Sequence, residues 1–206
     1  VFPFYFDAVT SIATFCLVAL VVTPWNISMP TPQKGSLPRL TKEAYQGNVS
    51  VFWTHSIQDR KTGWLSKSFH YQFRELLCHL LAKHSAICPI YCLMPDHLHL
   101  LIMGLKSYSY QLKLTKQLRR ELNKLLHPYL LQSQAHDHVL REEELGKSAF
   151  QGIAYYIQQN PVRKNLAQDW KDYPFTKCMV PGYFDLNPRN KDYWNLFWRI
   201  HNKLVT

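Results

Sequence analysis

An α/β or α+β domain with one central sheet is the fold class the sequence predicts. Three observations predict it. Apolar runs of strand length alternate with segments of helical period, in the order strand, helix, strand, helix, helix and tail. At 206 residues the chain is long enough for one domain with a real core and too short for two large ones. Hydrophobic residues make up 47% of it, which argues a folded globule rather than disorder. Strand order is not readable at this level.

The N-terminal region carries an uncharged run at residues 8–22. A spanning helix needs about 20 apolar residues, so this run is short for one. Asp7 is the only charge before it, and no basic residue precedes Lys34. A signal peptide needs a basic start, so that reading fails. The expectation is that translation begins at Met29 and that residues 1–28 are a non-native extension. A weak membrane anchor is the alternative, and no other membrane association is expected. Residues 29–45 are Pro-rich and polar and read as a loose arm.

The domain itself is expected over residues 46–176. Asn48 to Ile57 is β-branched and aromatic, hence a strand. Ser66 to His84 spaces Phe69, Phe73, Leu76, Leu77, Leu80 and Leu81 as one face of an amphipathic helix. Ile87 to Leu105 reads as a long buried strand, with a short extended segment broken off at Pro89. Leu112 to Leu126 is the clearest amphipathic helix. Leu114, Leu118, Leu122 and Leu125 form its apolar stripe. Lys113, Lys116, Arg120 and Lys124 form a cationic one about 130° away, at about 100° per residue. Residues 127–148 read as a polar connector, with His136 and His138 as solvated loop residues. Ala149 to Asn160 is a helix that should stop before Pro161. Loop-rich chain with room for two strands follows. Residues 177–206 are a C-terminal extension ending in a helix from Lys191 to Leu204. Its Trp194, Phe197 and Trp198 could stack on unpaired bases, but at helical spacing they read as a docking face.

The formal charge of +10 suggests a polyanionic partner, either nucleic acid or an anionic membrane surface. Arg119 adds to the helix's cationic stripe, and Glu121 is the only acid between Lys106 and Lys124, which favours phosphate binding there. Five Cys at irregular spacing make no disulfide framework, which implies a reducing, cytoplasmic compartment.

The chemistry-bearing stretch is PDHLHLLI, residues 95–102. Side chains alternate across a strand, so His97, His99, Leu101 and Met103 share one face. The two imidazoles then stand roughly 7 Å apart at Cα and can converge on one cation. A third ligand and a nucleophile are offered by AYYIQQNPVRK. Tyr156 and Asn160 are four apart on one helix face, and so are Tyr155 and Gln159. The apolar stripe of Phe150, Ile153, Ala154 and Ile157 decides between the pairs. Tyr156 and Asn160 lie at its edge, and the other pair faces solvent. Two imidazoles and an amide oxygen can hold Mg²⁺ or Mn²⁺ with positions left open for phosphate oxygens. A tyrosine can then attack phosphorus and conserve the bond energy in a phosphotyrosine, so rejoining needs no nucleotide cofactor. Arg163 and Lys164 follow directly and could hold phosphates, or form an exposed basic turn. Cys88, Cys92, His97 and His99 offer a zinc reading as the competitor.

PDHLHLLI resembles the His-hydrophobic-His motif of the single-tyrosine HUH transposases. YYIQQNPVRKNLAQDWKDYPFT and AHDHVLREEE resemble segments of their REP-associated branch, the REP-associated tyrosine transposases. The resemblance covers roughly residues 36 to 176. It implies a ferredoxin-like antiparallel sheet with helices packed on one face. It implies a single-stranded DNA endonuclease and strand transferase acting on repeat-derived hairpins. By matching position, His97, His99 and Asn160 would hold the metal and Tyr156 would be the nucleophile. Asp96 stands where an Asn is common. The family would place the protein in a bacterial-type cytoplasm near the nucleoid, as a monomer or homodimer. Two other readings stay open: a non-catalytic DNA-hairpin binder on the same fold, and a zinc-stabilised RNA-binding module.

Overall fold

The computed structural model describes residues 39–140 and 147–206. The expected start at Met29, and most of the expected arm, lie outside the described residues. No helix among the described residues is long and apolar enough to cross a membrane.

Five strands form one antiparallel sheet. In chain order the elements are β1 (Ser50–Ser56), α1 (Lys67–Lys83), β2 (Ala86–Met94), β3 (His97–Gly104), α2 (Gln111–Leu126), β4 (His136–Val139), α3 (Lys147–Arg163), β5 (Thr176–Met179) and α4 (Tyr193–Val205). The sheet order is β4-β1-β3-β2-β5. This is the α+β architecture, and it carries two apolar cores. Val51, Trp53, Tyr91, Leu98, Leu100 and Ile102 face α1 and α2. Ile90, Cys92, Met94, Leu101 and Met103 face α3 and α4. The helix-covered face that the resemblance implies is held by α1 and α2. The opposite face is covered as well, by α3 and the C-terminal helix.

The long apolar stretch at 87–105 is two strands, not one. It breaks at Pro95–Asp96, where β2 turns into β3, and not at Pro89. Both strands are buried on both faces, so no alternation marks the turn in the sequence. Pro89 instead sits where the pairing register of β2 shifts, the tolerated place for a residue without an N–H.

Three more expectations change. The His136–His138 segment is not a loop but an edge strand paired to β1. The helix expected to end at Asn160 runs on to Arg163 with Pro161 inside it. On α2, Leu126 takes the buried place expected of Leu125, which is 38% exposed. The end of the expected arm is docked: Tyr45 is fully buried and donates to the Asp137 carboxylate, which also binds Arg39. The expected boundary at residue 177 runs through β5, and α4 buries Tyr193, Phe197 and Ile200 in the second core. Trp194 and Trp198 pack edge-on against Phe150, so this helix face docks, as its spacing suggests.

His55 gives the fold a measurable acid sensitivity. It is buried beside Trp53, its Nε2 has no hydrogen-bond partner, and burial, with Arg119 and Arg39, pushes its pKa down to about 4. The unfolded chain takes up this proton near pH 6.5, the folded chain only near 4. Stability is therefore full above pH 6.5 and falls as the pH drops toward 4, by about 3 kcal/mol from this residue. His55→Leu is expected to remove that share of the slope and to be near neutral at pH 7, because no hydrogen bond is lost. Urea unfolding across that range checks it, and an unchanged slope would refute the assignment.

Candidate active site

The histidine face of β3 points toward α3. His97 is opposite Ser56 and Met94, and His99 is opposite Thr54 and Cys92. The imidazoles converge, with His97 Nε2 2.9 Å from His99 Nε2. Each Nδ1 is held from behind. Asp96 Oδ1 accepts from His97 Nδ1 at 2.6 Å, and Thr54 Oγ1 lies 3.0 Å from His99 Nδ1. The carboxylate can only accept, so it fixes the His97 tautomer with Nε2 bare. The Thr54 hydroxyl can donate or accept and so tolerates either tautomer at His99. Outer partners of this kind are what metal-binding histidines ordinarily have.

Burial dominates the electrostatics. It lowers the pKa of His97, helped by Arg60 and Lys164 and opposed by Asp96. It holds His99 well below the ordinary histidine range, together with His97 and Arg60. Both rings are thus neutral near pH 7, the form that binds a cation. Arg60 reaches Asp96 Oδ2 at 3.1 Å from a turn in which Asp59 and Arg60 both adopt positive φ, 56° and 54°. Two consecutive non-glycine residues in that region cost about 1–3 kcal/mol each. This turn places the Arg60 guanidinium on the Asp96 carboxylate that holds His97.

On α3, Pro161 lacks the N–H that would bond the Ile157 carbonyl. The Asn160 side chain takes up this slack: its Nδ2 donates to Tyr156 O at 2.8 Å and approaches Ile157 O at 3.5 Å. The helix therefore survives the proline, and the amide is pinned with its nitrogen toward the helix. Its oxygen is left to face His99, where it favours the protonated ring. The helix closes at Asn165, at φ 56°, with Leu166 N–H donating to Pro161 O.

Tyr156 lies one turn before Asn160 and half-buried. Its ring centroid is 6.1 Å from His99 and 6.0 Å from Phe52, which packs against both. The Arg163 guanidinium stands 5.0 Å from its centroid. Tyr155 is 60% exposed and points away. The structure thus brings together His97, His99, Asn160, Tyr156, Arg163 and Lys164.

It does not bring the α2 stripe to them. Leu114, Leu118 and Leu122 dock α2 in the core on the other side of the sheet, so Lys113, Lys116, Arg119, Arg120 and Lys124 are separated from the histidines by the sheet. Arg120 and Lys124 also share the Glu121 carboxylate. Phe52, Thr54, Asp96 and Arg60 are the contributors that sequence reasoning missed. Only strand register places the first two, and no local pattern signals them.

The donor set can be tested against a cation. Among the described residues no group of three or more His, Cys, Asp or Glu side chains is placed to hold a metal ion. The zinc reading also loses its geometry, because the register shift at Pro89 sends Cys88 and Cys92 into different cores. Two convergent neutral imidazoles with the Asn160 amide oxygen beside them do fit a divalent cation, completed by water or phosphate oxygens. Asp96→Ala is expected to weaken Mn²⁺ binding about 10- to 100-fold, because it removes the acceptor that holds His97 Nδ1–H. Titration of the purified protein with Mn²⁺ reads this, and unchanged affinity would remove Asp96 from the role.

No family model and no curated protein matches the chain. Solved structures do match it. One is the structure of a REP-associated tyrosine transposase bound to a REP hairpin, 17% identical, with a TM-score of 0.54, covering 69% of this chain and 82% of that one. At that identity the likeness is one of fold, and what the chain shares with that transposase is the α+β architecture.

Proposed function

We propose that this chain cuts and rejoins single-stranded DNA through a covalent phosphotyrosine, acting on strands beside repeat-derived hairpins. The observation that carries the reading is the placement of Tyr156 and Asn160, one turn apart on α3, against His99, whose ring converges with His97 of the same chain. The solved neighbour was captured with a REP hairpin, which supports DNA as the partner.

In the proposed reaction Tyr156 Oη attacks the scissile phosphorus. The Oη–P bond forms, the P–O3′ bond breaks, and the phenol proton is lost to solvent while the departing oxygen gains one as a free 3′-hydroxyl. A 3′-hydroxyl attacking in reverse rejoins DNA and returns the tyrosine, so no nucleotide cofactor is consumed. Mg²⁺ or Mn²⁺ held by His97, His99 and Asn160 would polarise the phosphate and stabilise charge on the leaving oxygen. Asn160, pinned through the Tyr156 carbonyl, couples the ligand set to the nucleophile's own helical turn. Arg163 and Lys164 would hold the flanking phosphates. A single chain carries the whole set, so a monomer suffices for cleavage.

The test incubates purified protein with end-labelled single strands containing a hairpin, with Mg²⁺ or Mn²⁺. A DNA adduct mapped to Tyr156 and lost with EDTA is the expected result. Hairpin binding without cleavage under either metal would instead favour a DNA-hairpin binder on the same fold.

A further inference from the structure

A second group of cations lies at the β5 edge, on the face opposite the histidines. Lys177 of β5 pairs with Tyr91 of β2. The Tyr91 hydroxyl lies 2.8 Å from Nε2 of His70 on α1. Arg74 follows His70 by one turn of that helix, on the same face. Arg189 folds back from the loop before α4 and donates from Nη2 to Tyr173 O at 3.0 Å. Its Nε is buried and has no hydrogen-bond partner. Helix α1, strand β5 and the loop before α4 thus deliver Arg74, Lys177 and Arg189 to one place. Each is only half-exposed.

No carboxylate among the described residues forms an ion pair with any of the three. Glu75 is next to Arg74 in sequence but lies about 100° around the helix. Burial and the charges of Arg189 and Arg74 push the Lys177 pKa down, with no carboxylate acting on it and only the Cys178 thiol opposing. Cations placed only for solubility would be spread out and fully solvated. Here they are gathered, partly withdrawn from water and left without an anion. Guanidinium and ammonium groups in that state suit phosphate oxygens.

The place also has a direction. Thr176, Cys92 and His99 form one row across β5, β2 and β3. Lys177 is the neighbour of Thr176, so its backbone lies two strand spacings, about 10 Å, from the strand that carries His99. β5 is an edge strand of the sheet. Past its end, Gly182 at φ 83° turns the chain and Phe184 is 64% exposed. Phe184 lies in the loop that joins Lys177 to Arg189, and an exposed aromatic ring on a segment that carries cations is what single-stranded nucleic acid uses, bases stacking while phosphates are neutralised.

We propose that Arg74, Lys177 and Arg189 bind the backbone of a single DNA strand as it passes from the histidine face around the β5 edge, with Phe184 stacking on one of its bases. The inference rests on the proposed DNA-cleaving function and gives the C-terminal segment a part in holding substrate.

Anisotropy of a labelled single-stranded oligonucleotide, measured over a range of salt, tests it on the full chain. Arg74→Gln with Lys177→Gln is expected to weaken binding about tenfold and to flatten the log–log salt slope by about 0.7 per cation removed. The same pair is expected to hold or raise the melting temperature, since it relieves like-charge repulsion. Phe184→Ala is expected to weaken binding without changing the slope. Unchanged affinity and slope in the double variant, with wild type still binding and cleaving DNA, would overturn this site and leave the cleavage reading intact. The same holds if the loss follows Lys113→Gln with Lys116→Gln instead, which would put the strand on α2. Tighter binding of the matching RNA would overturn the choice of DNA. Absence of any DNA binding by wild type would overturn the site and the cleavage reading together.

Discussion

Phenylalanine at Tyr156 is expected to abolish the covalent protein–DNA product and leave hairpin affinity within about tenfold, since one hydroxyl contributes roughly 1 kcal/mol to binding. The asymmetry follows from what the residue does. Its ring is a packing element, edge-on to Phe52 and His99 and beneath the Arg163 guanidinium. All of those contacts survive the loss of Oη. Among the described side chains of α3, Tyr156 is the nucleophile whose ring packs against His99. Without it the P–O3′ bond has no protein nucleophile, and the rate should fall by about three orders of magnitude or more. Tyr155→Phe is the matched control. Tyr155 is 60% exposed and on the outer side of the helix, so cleavage should be unchanged. Denaturing gels of end-labelled DNA and the mass of the adduct read both variants. Cleavage retained by Tyr156→Phe, or lost in Tyr155→Phe, would reverse the choice between the neighbouring tyrosines.

That choice was legible in the sequence because it depends on local periodicity. An apolar stripe at helical spacing fixes which residues lie at its edge, and tertiary packing then has little to add. The histidine pair is legible for the same reason, at a period of two. Contacts between strands are another matter. Thr54 reaches His99 only because β1 and β3 pair in one register out of several, and nothing near residue 54 announces it. The turn at Pro95–Asp96 was hidden because β2 and β3 are buried on both faces. β4 is four residues long and mostly polar, too short to show alternation. The continuation of α3 past Pro161 required a side chain to replace a backbone donor, which Asn160 does. Asn160 therefore holds the helix besides the ligand role proposed for it, and only the proposed role was readable. Its spacing from Tyr156 suggested a ligand, while its grip on the helix came from the structure.

His99→Ala is expected to remove cleavage as fully as the tyrosine variant does, by a different route. His99 is the hinge of the site. Its Nε2 faces His97, its Nδ1 rests on Thr54, and its ring touches both Phe52 and Tyr156. Alanine leaves His97 and Asn160 of the proposed ligand set, too few to hold a labile divalent cation against water. Mn²⁺ affinity and cleavage should therefore fall together, and excess metal should not restore either one fully. The fold should tolerate the change. A buried imidazole held below the ordinary histidine range contributes nothing to stability that needs its charge, so the loss should be that of a cavity and of the Thr54 hydrogen bond, about 2–4 kcal/mol. DNA affinity should stay near that of wild type, because no phosphate-binding cation is removed. The pairing of readouts is decisive. Loss of Mn²⁺ binding with intact DNA binding assigns the ring to the metal. Cleavage that persists without His99 would show that the convergence of the two imidazoles is structural, and the proposed reaction would need another electrophile at this face of the sheet.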